Sequence, residues 1–136
     1  MRENIGSGSP WEDVVGYSRV VSVDDSAWVA GTTATVEGQV VGAGDPYEQA
    51  RVAFGIALDA LRSAGFDAVD VVRTRMFVTD IAHFDAVGRA HHELFGAVRP
   101  VSTMVEVSRL ALSEHLVEVE IDAQRASRDH RGTLEA

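Results

Sequence analysis

Apolar and polar residues alternate along the chain, recur at helical spacing, and then alternate again, and this succession predicts the fold. Residues 17–23 carry Val20, Val21 and Val23, Asp24-Asp25-Ser26 makes a turn, and residues 27–33 read as a second strand of a hairpin. Residues 37–44 form a glycine-rich loop. Asp45 then suits a helix N-cap, Pro46 the first helical position and Glu48 the third. Ala50, Ala53, Phe54, Ala57, Leu58 and Leu61 make an apolar stripe at helical spacing, and Gly65 marks its stop. Residues 69–79 return to alternation, with Val72, Thr74, Met76 and Val78 on one side and Arg73, Arg75 and Phe77 on the other. Asp80 caps a second predicted helix, 81–96, whose stripe is Phe84, Val87, His91, Leu94 and Phe95. Pro100 breaks the chain, and residues 102–107 and 116–123 complete it as strands.

The order ββαβαββ predicts an α+β two-layer sandwich, a mixed sheet with two helices on one face. The opposite face is expected to carry Arg73, Arg75, Phe77, Met104, Glu106, Glu118 and Glu120. A surface that mixes charge with large apolar groups points to subunit contact, and a closed symmetric homo-oligomer is the expected arrangement.

Composition narrows the chemistry. With 136 residues, 46% of them apolar and 24% charged, the chain is expected to form one domain over 13–125, between a flexible lead-in, 1–12, and a polar tail, 126–136. There is no cysteine, and all twelve basic residues are arginine. That excludes thiol nucleophiles, disulfides and cysteine metal sites, and it excludes Schiff bases and phosphate-loop lysines. A net charge of −9 with scattered arginines argues against a nucleic-acid partner. No apolar run approaches the ~20 residues that span a bilayer. The opening MRENIGSGSPWED lacks the apolar centre of a secretory signal, so the expectation is a cytoplasmic protein without membrane contact.

Several segments, in order, resemble the RidA/YjgF family of small trimeric proteins. They are Val15-Gly16-Tyr17, Val29-Ala30-Gly31-Thr32, Ala64-Gly65, the strand from Val71 to Asp80, the run Pro100-Val101-Ser102-Thr103-Met104-Val105-Glu106-Val107-Ser108-Arg109-Leu110, and Val117-Glu118-Val119-Glu120. The resemblance spans about residues 14–125. It implies a chorismate-mutase-like fold, a homotrimer with clefts between subunits, and hydrolysis of enamine or imine intermediates to a keto acid and ammonia. It further implies a tyrosine at Tyr17, a cleft-lining glycine at Gly31 and a water-positioning glutamate at Glu118. The family's carboxylate-holding arginine falls on Ser102, its serine on Ala30 and its helical asparagine on Gly88. The fold inference survives these changes, whereas deamination of simple 2-imino acids does not.

Each candidate has a plainer role to set against its chemistry. Glu118 is the candidate catalytic residue, a carboxylate able to orient or deprotonate water, or else one half of an ion pair with Arg73 or Arg75. Arg75 could replace the missing anion anchor through its planar fork, or pair with Glu106 or Glu120. Arg99 beside Pro100 is a weaker anchor. His91 could act as acid or base, or serve as a core histidine. Tyr17, Gly31, Ser102 and Met104 complete the expected substrate-binding set, with Thr103 a further hydroxyl donor. His91-His92-Glu93 lacks the i,i+4 spacing of metal ligands, the glycines at 38, 42 and 44 make no dinucleotide fingerprint, and there is no GxSxG elbow. No metal and no cofactor are expected. The leading function is hydrolysis or tautomerisation of an imine, enamine or related carbonyl metabolite at an intersubunit cleft. The alternative is a non-catalytic trimer that binds a metabolite or protein there. A pericyclic, chorismate-mutase-like enzyme would need Arg73, Arg75 and Arg99 to converge on a dianion.

Overall fold

A computed structural model describes residues 1–126. The polar segment 126–136 therefore lies, but for its first residue, outside the described residues. The elements run β1 (Arg2–Ile5), α1 (Pro10–Val15), β2 (Val20–Val23), β3 (Ser26–Thr32), β4 (Thr35–Val36), β5 (Gln39–Val40), α2 (Pro46–Ser63), β6 (Val71–Val78), α3 (Phe84–Phe95), β7 (Val101–Glu106) and β8 (Val117–Gln124). Short 3-10 turns, Ala68–Asp70 and Ile81–His83, lead into β6 and α3.

The main sheet has the order β1-β2-β3-β8-β6-β7. All neighbours are antiparallel except β6 and β7, which are parallel. A parallel pair requires a crossover, and α3 supplies it. The ββαβαββ core of the α+β expectation is thus the observed one, with a mixed sheet. Asp45 caps α2 by accepting from the Glu48 N–H at 3.1 Å.

The apolar stripe of α2 (Ala50, Ala53, Phe54, Ala57, Leu58 and Leu61) is buried together with Val87, Ala90 and Phe95 of α3. Val29, Met76, Val78, Val119 and Ile121 meet them from the sheet. At the centre the rings of Phe54 and Phe95 stand edge to face, centroids 5.2 Å apart. Truncating a fully buried phenylalanine removes transfer energy and leaves a cavity. Phe54→Ala should therefore lower unfolding free energy by about 3–5 kcal/mol, read from denaturant melts.

Four features depart from the sequence expectation. Residues 2–5, expected as flexible lead-in, form β1 and pair antiparallel with β2, and Pro10–Val15 is helical. As a sheet edge, β1 needs no apolar alternation to hold its backbone pairing, so its polar sequence hid it. The glycine-rich loop contains the β4–β5 hairpin, turned by Glu37 and Gly38 at positive φ of 52° and 78°. An irregularity between Val71 and Arg73 puts Val72 on the exposed side of its strand, 47% accessible, and not in the core. Finally, β7 lies in register with β6, with Thr74 opposite Ser102, Met76 opposite Met104 and Val78 opposite Glu106. Met104 and Glu106 therefore face the helices and are absent from the outer face, where Val101, Thr103 and Val105 join Arg73, Arg75 and Phe77.

Candidate functional site

The expected site residues fall into two groups on opposite faces of the sheet. The first lies on the face turned away from α2 and α3, where a register shift in β3 between Val29 and Thr32 bulges the strand beside β8. Gly31 sits in this bulge. A Cβ built there would lie 2.0 Å from Glu118 Oε2 and 3.0 Å from its Cδ, so the carboxylate occupies the room the glycine leaves. Burial pushes the Glu118 carboxyl above the usual range, Glu120 adds to the rise, and Arg19 opposes it.

Arg19 was not singled out in the sequence, yet it organises this group. Its side chain is only 12% exposed. Its NH1 donates to the Gly31 carbonyl at 2.8 Å and to Thr32 Oγ1 at 3.1 Å, and its NH2 reaches the Tyr17 hydroxyl at 3.4 Å. Behind it, Glu12 Oε2 lies 3.6 Å from Arg19 Nε. Burial would raise the Glu12 carboxyl, but bonds from the Ser7 hydroxyl and N–H, together with Arg19, hold it below its ordinary value. Glu12 thus holds Arg19, Arg19 holds the bulge, and the bulge receives Glu118. Tyr17, joined to the group through Arg19, lines a depression of about 380 Å³ together with Trp28, Ala30 and Asn4.

The second group faces α3 at the β7 edge. Thr74, fully buried, has its Oγ1 2.8 Å from Ser102 Oγ and 2.8 Å from His91 Nε2. His91 packs against Phe54 and Phe95, with ring centroids 5.6 and 4.9 Å away. Burial, then the neighbouring His92, lowers its pKa from the ordinary histidine value, which favours the neutral ring. Met76, Phe84, Gly88 and Met104 join Ser102 and His91 around a cavity of about 290 Å³. His91 ends a hydrogen-bonded chain that opens at Ser102.

Arg75 belongs to neither group. On the outer face its NH1 lies 3.5 Å from Glu120 and 3.4 Å from Asp122, and Asp122 also lies 4.0 Å from Arg73. The ion-pair reading with Glu120 is the one observed. Glu106 is not a partner, because it accepts from the Ile81 N–H at 2.9 Å on the other side of the sheet. Arg99 Nε donates to the Gly96 carbonyl at 3.2 Å, so the three arginines do not converge on one point. Among the described residues no cluster of three or more His, Asp or Glu could hold a metal ion, and no helix is long and apolar enough to cross a membrane. Gln49, completely buried, fixes the approach to β8 by accepting from the Leu116 N–H at 2.8 Å and donating to the Glu114 and Gly42 carbonyls.

Glu118 stands opposite Phe77, and Ser102 opposite Thr74, three residues back along β6. Within one chain the two groups are thus about 10 Å apart along the sheet and point to opposite sides of it.

Comparison with known proteins fits this architecture. The family model described as Endoribonuclease L-PSP matches residues 9–125. An uncharacterized protein of Streptomyces coelicolor, SCO2049, is 46% identical over 125 residues, covering 92% of this chain and 93% of that protein. The crystal structure of Rv2704 from Mycobacterium tuberculosis, a member of the YjgF/YER057c/UK114 family, is 44% identical with a TM-score of 0.83, covering 92% of this chain and all of that one. A protein of unknown function from Pseudomonas aeruginosa, PA3499, is 30% identical with a TM-score of 0.78 over 91% and 92% of the two chains. With its fold and nearly its whole length so matched, the chain belongs to the YjgF/RidA family, the family of the Endoribonuclease L-PSP model.

Proposed function

We propose that this protein hydrolyses or tautomerises an imine, an enamine or a related carbonyl metabolite, in a cleft formed between two copies of the chain in a homotrimer. The observation that carries the reading is Glu118, a half-buried carboxylate of raised pKa seated against the Gly31 bulge. A base is most effective when its pKa approaches the working pH, and Glu118 is displaced in that direction. Water adds to the electrophilic carbon of the imine as Glu118 takes its proton. Glu118 returns that proton to the nitrogen, giving a neutral carbinolamine, and the carbinolamine hydroxyl proton then passes to the nitrogen as the C–N bond breaks, so that ammonia leaves and the carbonyl forms. Arg19 keeps the carboxylate from rising too far and fixes the wall it leans on.

The need for a second copy is supported by the division of polar groups between the two faces. It is also supported by the bare outer face, where Trp28, Val101 and Val105 are 45%, 57% and 43% exposed. A neighbouring copy seated there would bury these groups and bring its β7 edge toward Glu118. A cleft for a small molecule is in keeping with the fold, since TdcF of Escherichia coli, alike in fold, has been crystallised with bound serine.

Imines generated in situ by amino-acid and amine oxidases, trapped as semicarbazones, provide the test. The protein should lower the trapped yield for at least one member of a broad panel, and unchanged yields throughout would leave only a binding role. Light scattering should give three times the 14.6 kDa chain mass, and a monomer would remove the cleft.

A further inference from the structure

We propose that the Ser102–Thr74–His91 chain is the polar anchor of a pocket for an uncharged carbonyl or imine ligand, one that carries no carboxylate. The inference rests on the reading of this cleft as a site for a carbonyl-class metabolite, and it narrows the substrate class.

The Thr74 hydroxyl has no access to water and sits 2.8 Å from both neighbours. It has one proton to give, so the direction of one bond fixes the direction of the other. Thr74 donates to Ser102 Oγ, so it has no proton left for His91 and accepts from His91 Nε2–H. The Ser102 hydroxyl is then free to donate to a carbonyl oxygen or imine nitrogen. The arrangement is neutral and uses the Nε2–H tautomer of His91.

The rest of the pocket suits an uncharged ligand. Met76, Phe84 and Met104 give it apolar walls, and a Cβ built on Gly88 meets nothing within 4 Å, so the α3 wall is open. No lining residue is a cation at neutral pH. The arginines of these elements are engaged elsewhere: Arg73 and Arg75 with acids of the outer face, Arg89 over the Tyr47 ring, and Arg99 on the Gly96 carbonyl. A carboxylate entering here would lose water and gain one neutral hydrogen bond. An amide, ketone or neutral imine would lose far less and gain the same bond.

The closest discriminating pair is 2-oxobutanamide and 2-oxobutanoate, nearly identical in shape and different in charge. Both are titrated into the ¹⁵N-labelled full chain and followed by NMR. The amide should bind at least about tenfold tighter and shift Gly88 and Ser102. Ser102→Ala, on the exposed edge of β7, should weaken amide binding about tenfold with the remaining amide spectrum intact. Ser102→Arg should reverse the preference. Equal or tighter binding of 2-oxobutanoate to the unaltered chain, or unchanged amide affinity in Ser102→Ala, overturns the proposal. A chain that hydrolyses imines but prefers 2-oxobutanoate loses this inference alone. A chain that prefers the amide and hydrolyses nothing loses the enzymatic reading alone.

Discussion

Glu118→Gln should lower kcat/KM for imine hydrolysis by about 10²–10⁴-fold, the usual contribution of a positioned general base, with little change in KM. The amide has the shape of the carboxylate and fills the same space beside Gly31, but it cannot accept the water proton. Stability supplies an independent sign. The folded carboxyl is raised above its ordinary value, chiefly by burial and then by Glu120. The native state therefore binds more protons than the unfolded state between those two values. Stability is greatest below the unfolded pKa and declines as pH rises through the folded one. The Gln variant should lose that decline, and thermal melts at pH 4 and pH 8 compare the two proteins directly. The acid limb of the wild-type pH–rate profile should lie above that of an ordinary glutamate. A variant that keeps wild-type turnover would remove Glu118 from the chemistry.

Gly31→Ala should be nearly as damaging, for a geometric reason. The added methyl would stand 2.0 Å from Glu118 Oε2, closer than any real contact. The carboxylate must swing out of its seat or the β3 bulge must move. The backbone at Gly31 is outside the left-handed region, so alanine brings no strain of its own. The whole effect should therefore depend on Glu118, and a double-mutant cycle tests this. In the wild-type background Gly31→Ala should cost about 1–3 kcal/mol, as overpacking does, together with at least about 100-fold in activity. In a Glu118→Ala background its stability cost should nearly vanish. Equal costs in both backgrounds would mean that the methyl collides with something else.

The sequence yielded the layers of this molecule more readily than its faces. Apolar stripes at 3.6 spacing in α2 and α3, and strict alternation in β8, are direct records of one-sided burial, and those elements lie where expected. β7 is different. It is a parallel edge strand whose sequence, Val-Ser-Thr-Met-Val-Glu, has no dominant apolar side, so only its pairing with β6 determines which side chains turn to the helices. That ambiguity misplaced Met104 and Glu106. Glu118, Gly31 and Tyr17 were found through resemblance, whereas Arg19, Glu12 and Thr74 were not found at all. Residues 12, 19, 31 and 118 meet only because β2, β3 and β8 are neighbours, and no local spacing records such a meeting. Thr74 looked like one more residue of an alternating strand, and only its position between His91 and Ser102 gives it a role.

Placing Glu118 and Ser102 on opposite faces of one sheet has a genetic consequence. In the proposed trimer each cleft takes its carboxylate from one chain and its hydroxyl from the next. Two inactive alleles, Glu118→Gln and Ser102→Asp, would then repair one another when co-expressed. Random mixing in equal amounts would leave about a quarter of the clefts with both wild-type groups, although no chain in the mixture is intact.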